Sequence, residues 1–155
     1  LTCGLFRDSC REVLEAEGIG AQLDERLVDV AALQLVQSPE AFDLIVTSNL
    51  FGDILSDLAC HWSGGLGLAP SLNWGSGLAL AEPVHGSAPD IVGSGRANPL
   101  AAILSAALLL RYQWHEGALA TRIEDAVQAF LAHEGHCDFG TETTRVVAQG
   151  VLALL

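Results

Sequence analysis

Apolar positions recur along this chain in two rhythms, one helical and one suited to strands. In FRDSCREVLEAEG the residues Phe6, Cys10, Val13 and Leu14 stand among charges at helical spacing, and the run closes at Gly18. That pattern predicts an amphipathic helix with a glycine stop. Residues 21–28 have a mixed pattern and read as a short strand. Asp29 opens a second helix, DVAALQLVQS, which must stop before Pro39 because proline disfavours helix in the residue preceding it. The run FDLIVT, Phe42–Thr47, is apolar and of strand length, which suits a strand buried on both faces of an α/β sheet. A helix is expected from about Gly52 to Trp62. Residues 63–77 hold five glycines and a proline and read as loop or turns. Leu78–Ala81 is a short strand candidate and residues 82–98 a long loop. Helices are expected over Pro99–Tyr112, with proline at the first turn, over Gly117–Ala132 and over Thr144–Leu155. The alternation predicts an α/β fold with helices dominating the second half.

Composition narrows this picture. A chain of 155 residues is about one domain in size, and an apolar half with 17% charged residues reads as globular rather than disordered. Seven basic against nineteen acidic residues leave a net charge of −12 and no basic face for nucleic acid. The apolar run near 100–110 is too short to span a membrane, and no secretory signal pattern opens the chain. Cys3, Cys10, Cys60 and Cys137 form no CxxC pair and read as reduced, buried or half-buried thiols of a cytoplasmic-type protein. All seven basic residues are arginine, so no lysine is present, and Tyr112 is the lone tyrosine. The chain starts at Leu1 and lacks methionine, which fits a fragment and equally a processed chain.

Two stretches carry candidate chemistry. In NLFGDILSD, Asn49–Asp57, the carboxylates of Asp53 and Asp57 are four residues apart and share a helix face. Unpaired, they repel by roughly 0.2–0.5 kcal/mol, partly offset by the positive helix end expected near Gly52. A divalent cation such as Mg²⁺ or Mn²⁺ would turn repulsion into attraction. A solvated acidic face is the plainer reading of the pair. The second stretch, EPVHGSAPDIVGSGRANP, spans Glu82–Pro99 and is rich in glycine, proline and small residues. Such a loop lets backbone approach a ligand closely and keeps one shape; a rigid surface connection explains it equally well. An acidic residue in a nucleotide site accepts ribose hydroxyls and disfavours a 2′-phosphate, so NAD over NADP. Neither GxGxxG nor a P-loop occurs.

Together the two stretches resemble the isocitrate/isopropylmalate dehydrogenase family, the metal-dependent β-decarboxylating dehydrogenases. The likeness extends to GLFR (Gly4–Arg7), VDVAALQLV (Val28–Val36), GLGLAPS (Gly65–Ser71) and NPLAAILSAALLLRY (Asn98–Tyr112). It implies an α/β, isocitrate/isopropylmalate dehydrogenase-like fold, the carboxy-terminal half of a two-domain arrangement distinct from the Rossmann fold. Residues 1–60 would belong to the dimerisation and metal-site domain and residues 61–155 to the NAD-binding domain. It also implies NAD-linked oxidation and metal-assisted decarboxylation of a 2-hydroxy acid such as 3-isopropylmalate, isocitrate, homoisocitrate or tartrate. Asp53 and Asp57 match the family's metal-binding aspartates, and Asp29 the one that a homodimer partner contributes to the same cation. His85, Gly86, Ser87, Ala88, Asp90, Ile91 and Asn98 fall on its adenosine loop, and Glu82 near the nicotinamide end. The PDI of Pro89–Ile91 resembles the NAD-using members, and GLFR leans towards isocitrate or homoisocitrate.

The family's catalytic lysine and tyrosine have no counterpart here, so the resemblance implies a missing amino-terminal half and a chain that cannot turn over alone. The other reading is a non-catalytic fragment or regulatory-type subunit. Near the end, HCDFGTETT (His136–Thr144) matches the family's DLGG-type motif only loosely. The expected location is the cytoplasm, or an organelle matrix in a eukaryote. His133, His136 and Cys137 lack zincin spacing and a second cluster, which argues against zinc. Ser87 beside His85 makes no nucleophile elbow. Cys60-His61-Trp62 reads as packing, and Trp74 and Trp114 as edge aromatics.

Overall fold

The computed structural model describes residues 2–134 and 144–155. It mixes helix and strand as expected, in the order α1 (Thr2–Ala16), α2 (Val28–Gln37), α3 (Asn49–Ala59), β1 (Pro70–Trp74), β2 (Ala79–Pro83), α4 (Leu100–Leu108), α5 (Gly117–Glu134) and α6 (Thr144–Leu154). Short 3-10 turns cover Pro39–Ala41, Leu66–Leu68 and Pro89–Ile91, and a π turn over Leu109–Gln113 ends α4. The chain divides into two compact units, Leu1–Ala41 and Phe42–Leu155. This contact boundary falls earlier than the division near residue 60 implied by family resemblance. No described helix is long and apolar enough to cross a membrane.

The first unit holds α1 and α2. Helix α1 buries none of its residues, while α2 buries Ala31 and Leu35. Arg7 and Arg11 pair with Asp8 and Glu25 at the surface, where ion pairs contribute little. The strand expected over residues 21–28 is absent. A strand exists only as one side of a hydrogen-bonded ladder, and no described segment supplies the other side.

In the second unit, α4 packs against both strands and α5, and α5 packs against α6. Leu100, Ala126, Val127, Phe130, Val147 and Val151 form the buried cluster, flanked by Leu68, Ile103, Leu104 and Leu131. Full burial of such side chains is worth about 1.5–3 kcal/mol each. Gly150 is required in α6, because a Cβ there would run into the ring of Phe130. The loop expected over 63–77 contains β1, which pairs antiparallel with β2 from Pro70↔Pro83 to Trp74↔Ala79. Glycine-rich composition marked the turns on either side of β1 and masked the five-residue run between them. The pairing runs one step further, with the Val84 amide donating to the Ala69 carbonyl at 3.1 Å.

The predicted central strand Phe42–Thr47 is not formed. Leu44 is 82% and Val46 60% exposed, and the described strands are only β1 and β2, paired with each other. An apolar run predicts burial between partners, and here the partners are not among the described residues.

Candidate functional site

Helix α3 begins at Asn49 behind Ser48, three residues earlier than expected. Asp53 therefore sits in the second turn and Asp57 in the third. The helix dipole acts mainly within the first turn, so the expected offset of their repulsion is lost. Both aspartates are exposed on one helix face, while Leu55 on another face is buried. The placement of α3 at the carboxyl end of a sheet strand also fails, since residues 42–47 form no strand. Asp29 stands in the first turn of α2, where the dipole favours a carboxylate, and its Oδ1 accepts from the Val30 amide at 2.9 Å. Among the described residues no three His, Cys, Asp or Glu side chains gather into a metal-binding group. Asp53 and Asp57 thus form a two-carboxylate set, hard oxygen donors of the kind Mg²⁺ or Mn²⁺ takes, one that needs further ligands.

The Glu82–Asn98 segment is built by the hairpin and by α4. Glu82 lies on β2 opposite Ser71 and is exposed, like Leu80 two residues before it. Beyond Val84 the chain opens into solvent, and His85, Gly86, Ser87, Ala88 and Asp90 are all exposed. His85 Nδ1 lies 3.0 Å from the Gly86 carbonyl oxygen. Ala88 has φ 43°, a left-handed conformation that costs a non-glycine residue roughly 1–2 kcal/mol. The reversal starts the Pro89–Ile91 turn, closed by the Ile91 amide donating to the Ala88 carbonyl at 3.1 Å. Ser94 Oγ donates to the Ile91 carbonyl at 2.6 Å and accepts from the Arg96 amide at 3.3 Å. Gly93 and Gly95, both left-handed at φ 75° and 71°, allow this tight folding.

Asn98 closes the segment. Its Oδ1 accepts from the Leu100 amide at 2.9 Å and so caps α4. Its side chain rests on Gly67 of the GLGLAPS stretch; a Cβ on Gly67 would lie 2.8 Å from Nδ2 and 3.0 Å from Cβ of Asn98. Sequence reading missed this contact, although the glycine in an apolar turn was its signal. It also missed Thr144, the first residue of α6. The Thr144 amide donates to the Gly95 carbonyl at 2.6 Å, and Thr144 Oγ1 to the Ala97 carbonyl at 2.6 Å.

An open groove of about 370 Å³ lies between α3 and the hairpin, lined by Ser56, Ala59 and Cys60 on the α3 side and by Ala69, Pro70 and Val84 on the hairpin side. Burial pushes the Cys60 thiol above the usual range, and the neighbouring Asp57 carboxylate adds to the rise. Cys3 is exposed and Cys10 half-buried, so of the three described cysteines, all free, only Cys60 is a packing residue. His61 and Trp62 are exposed against one another, edge to face at 5.2 Å, which corrects the reading of all three neighbours as packing. Trp74 and Trp114 are exposed, at 65% and 59%. The candidate zinc group around His136 and Cys137 lies outside the described residues.

The chain also matches known proteins. A family model for isocitrate/isopropylmalate dehydrogenase aligns with residues 2–152. The chain belongs to this family. The 3-isopropylmalate dehydrogenase of Thermosynechococcus vestitus is 50% identical over 147 residues, covering 94% of this chain and 39% of that protein. The isocitrate/homoisocitrate dehydrogenase of Thermus thermophilus is 56% identical over 131 residues, or 84% of this chain and 39% of its own length. The crystal structure of isocitrate dehydrogenase from Methylococcus capsulatus superposes with a TM-score of 0.88 at 41% identity, covering 97% of this chain and 45% of that one. The fold is therefore that of the isocitrate/isopropylmalate dehydrogenases, and the chain spans about two fifths of the length of these curated relatives (39%).

Proposed function

We propose that this chain is the carboxy-terminal part of an NAD-dependent enzyme that oxidises and decarboxylates a 2-hydroxy acid of the 3-isopropylmalate or isocitrate type, using Mg²⁺ or Mn²⁺. The observation that carries the reading is the segment from Glu82 to Asn98, held by hydrogen bonds of its own and from α4 and α6 yet open to solvent, in the same compact unit as the Asp53–Asp57 pair. In this reading His85, Gly86, Ser87, Ala88, Asp90, Ile91 and Asn98 hold the adenosine end of NAD. Glu82, on the open face of the hairpin, stands towards the nicotinamide end. Asp90 is suited to accept ribose hydroxyls, and its charge would repel a 2′-phosphate. Asp53 and Asp57 hold the cation together with Asp29 of a second copy, in a homodimer. When bound, the cation supplies Lewis-acid polarisation and the nicotinamide accepts a hydride.

Binding and orientation are what this chain's own residues offer. It has no lysine, and Tyr112 sits in the π turn that ends α4, so it supplies no catalytic acid or base of the family's kind. That absence favours, as a second reading, a non-catalytic fragment or regulatory-type subunit that binds nucleotide and metal. The chemistry of either reading suits the cytoplasm or an organelle matrix.

Calorimetric titration of the chain with NAD and NADP, each with and without Mn²⁺, tests the binding roles. Preferential NAD binding supports the cofactor assignment; equal or stronger NADP binding overturns it. Adding an amino-terminal half that carries the family's lysine and tyrosine then separates the two readings. Mg²⁺-dependent NADH formation with one of the four acids identifies a truncated enzyme. Nucleotide binding without turnover on any of them favours the binding-only subunit.

A further inference from the structure

We infer that Thr144 is a positioning residue for the nucleotide loop, acting from helix α6 on a segment 47 residues earlier in the chain. The inference rests on the reading of Glu82–Asn98 as the NAD-binding loop and extends it to a residue outside that segment. The loop's outer half has few anchors. Pro89–Ile91 is a single turn, and residues 92–97 are exposed. Gly93 and Gly95 adopt left-handed backbone, and glycine leaves many alternative conformations open. Without an outside contact such a segment samples many shapes, and a nucleotide would bear the entropic cost of ordering it.

Thr144 supplies that contact twice. Its backbone amide holds the Gly95 carbonyl and its hydroxyl holds the Ala97 carbonyl, both at 2.6 Å. The fixed carbonyls lie on either side of Arg96, whose amide donates to Ser94 Oγ at 3.3 Å. Ser94 in turn donates through Oγ and through its amide to the Ile91 carbonyl, at 2.6 and 3.1 Å. The Ile91 amide donates to the Ala88 carbonyl, at the left-handed residue that sets the direction of the loop. Hydrogen bonds and short backbone links therefore join α6, at the Thr144 amide, to the Ala88–Ile91 turn, and the Thr144 hydroxyl adds a second hold at Ala97, where the loop leaves for α4. Helix α6 is itself fixed in the core by Val147 and Val151, so the series ends on a rigid support. Water could satisfy the two carbonyls if Thr144 were lost, but it could not hold them in place.

The test compares the chain carrying Thr144 with Thr144→Val and Thr144→Ser. Valine keeps the shape and the backbone amide and removes only the hydroxyl. Amide hydrogen exchange over residues 91–97, NAD affinity by calorimetry and the thermal midpoint are read together. Thr144→Val is expected to speed exchange over 91–97 and weaken NAD binding about 2- to 5-fold, the scale of one partly exposed hydrogen bond. The midpoint should fall by no more than the loss of that one bond, and Thr144→Ser should restore both readouts. Unchanged exchange and affinity in Thr144→Val overturn the inference. A larger fall of the midpoint, with exchange as fast throughout α6 as over 91–97, also overturns it, by assigning Thr144 to stability alone. If the unsubstituted chain binds no NAD while the exchange difference persists, the cofactor reading fails and the hold of Thr144 on the loop stands.

Discussion

Two regions of this chain carry similar hydrophobic patterns and meet different fates. In the carboxy-terminal region, α4, α5 and α6 bring Leu100, Phe130, Val147 and Val151 into one buried cluster that supports the Glu82–Asn98 loop. In the stretches that carry the acids, apolar residues stay in solvent: Leu27 is 74%, Leu33 58%, Leu44 82% and Leu50 65% exposed. Among the described residues the first region packs its large apolar side chains into one cluster, whereas the second buries only Ala31, Leu35, Leu55 and Cys60. The difference teaches that the two candidate sites differ in completeness. The nucleotide loop is shaped by contacts internal to the chain, whereas the carboxylates of Asp29, Asp53 and Asp57 are presented on surfaces that await further groups.

Truncation in the two regions should separate them most sharply. Phe130→Ala is expected to destabilise the chain by about 3–5 kcal/mol, the usual range for a buried aromatic. Leu33→Ala and Leu44→Ala should each stay within about 0.5 kcal/mol. Urea denaturation followed by circular dichroism measures all three, and comparable losses at Leu44 and Phe130 would erase the contrast.

Next in size is Gly67→Ala. The added methyl would press on Asn98 and displace it from its place beneath the loop. An overpacking cost of about 1–3 kcal/mol is expected, appearing as weaker NAD binding along with a lower midpoint. Unaltered affinity would show that Asn98 is not held in place by this contact.

Asp53→Asn or Asp57→Asn tests the exposed region with two opposite signs. Losing a carboxylate should weaken Mn²⁺ binding about tenfold or more, since hard cations depend on charged oxygen ligands. The same change should stabilise the metal-free chain by about 0.2–0.5 kcal/mol through relief of like-charge repulsion. Mn²⁺ titration by electron paramagnetic resonance and a melting curve in chelator read the two effects. A variant that binds Mn²⁺ as well as the unsubstituted chain would return α3 to an acidic solvated face.

The smallest effect lies in the groove between α3 and the hairpin, at Cys60. Burial first, and then the Asp57 carboxylate, raise the Cys60 thiol pKa in the folded chain. The folded state therefore retains this proton at pH values where the unfolded chain releases it. Stability from Cys60 is fully present below the unfolded thiol pKa and is lost as pH rises through the raised folded value. Cys60→Ala should flatten the alkaline part of the stability curve, and an unchanged slope would assign it to other groups.

Much of this was legible in the residues alone. The helical spacing of α2, α4, α5 and α6, the terminators around them and the two polar stretches all follow from local chemistry. The likeness of those stretches to the isocitrate/isopropylmalate dehydrogenases gave the family, which the matches over residues 2–152 bear out. Helix starts were less legible. Asn49 rather than Gly52 begins α3, and that shift of three residues removes the dipole from the argument about Asp53.

What the sequence determined by itself was thus the set of helices, the places where the backbone must turn and the family of the chain. Each of these depends on neighbours a few residues away, or on a motif read directly. Tertiary structure alone decided that β1 forms within a glycine-rich stretch, that Phe42–Thr47 does not become a strand, and that Thr144 and Gly67 meet the loop at Gly95–Asn98. A strand requires a partner, a close approach requires a second surface, and a hydrogen bond across 47 residues requires the intervening chain to fold back. None of these conditions is written at the position where its effect is seen.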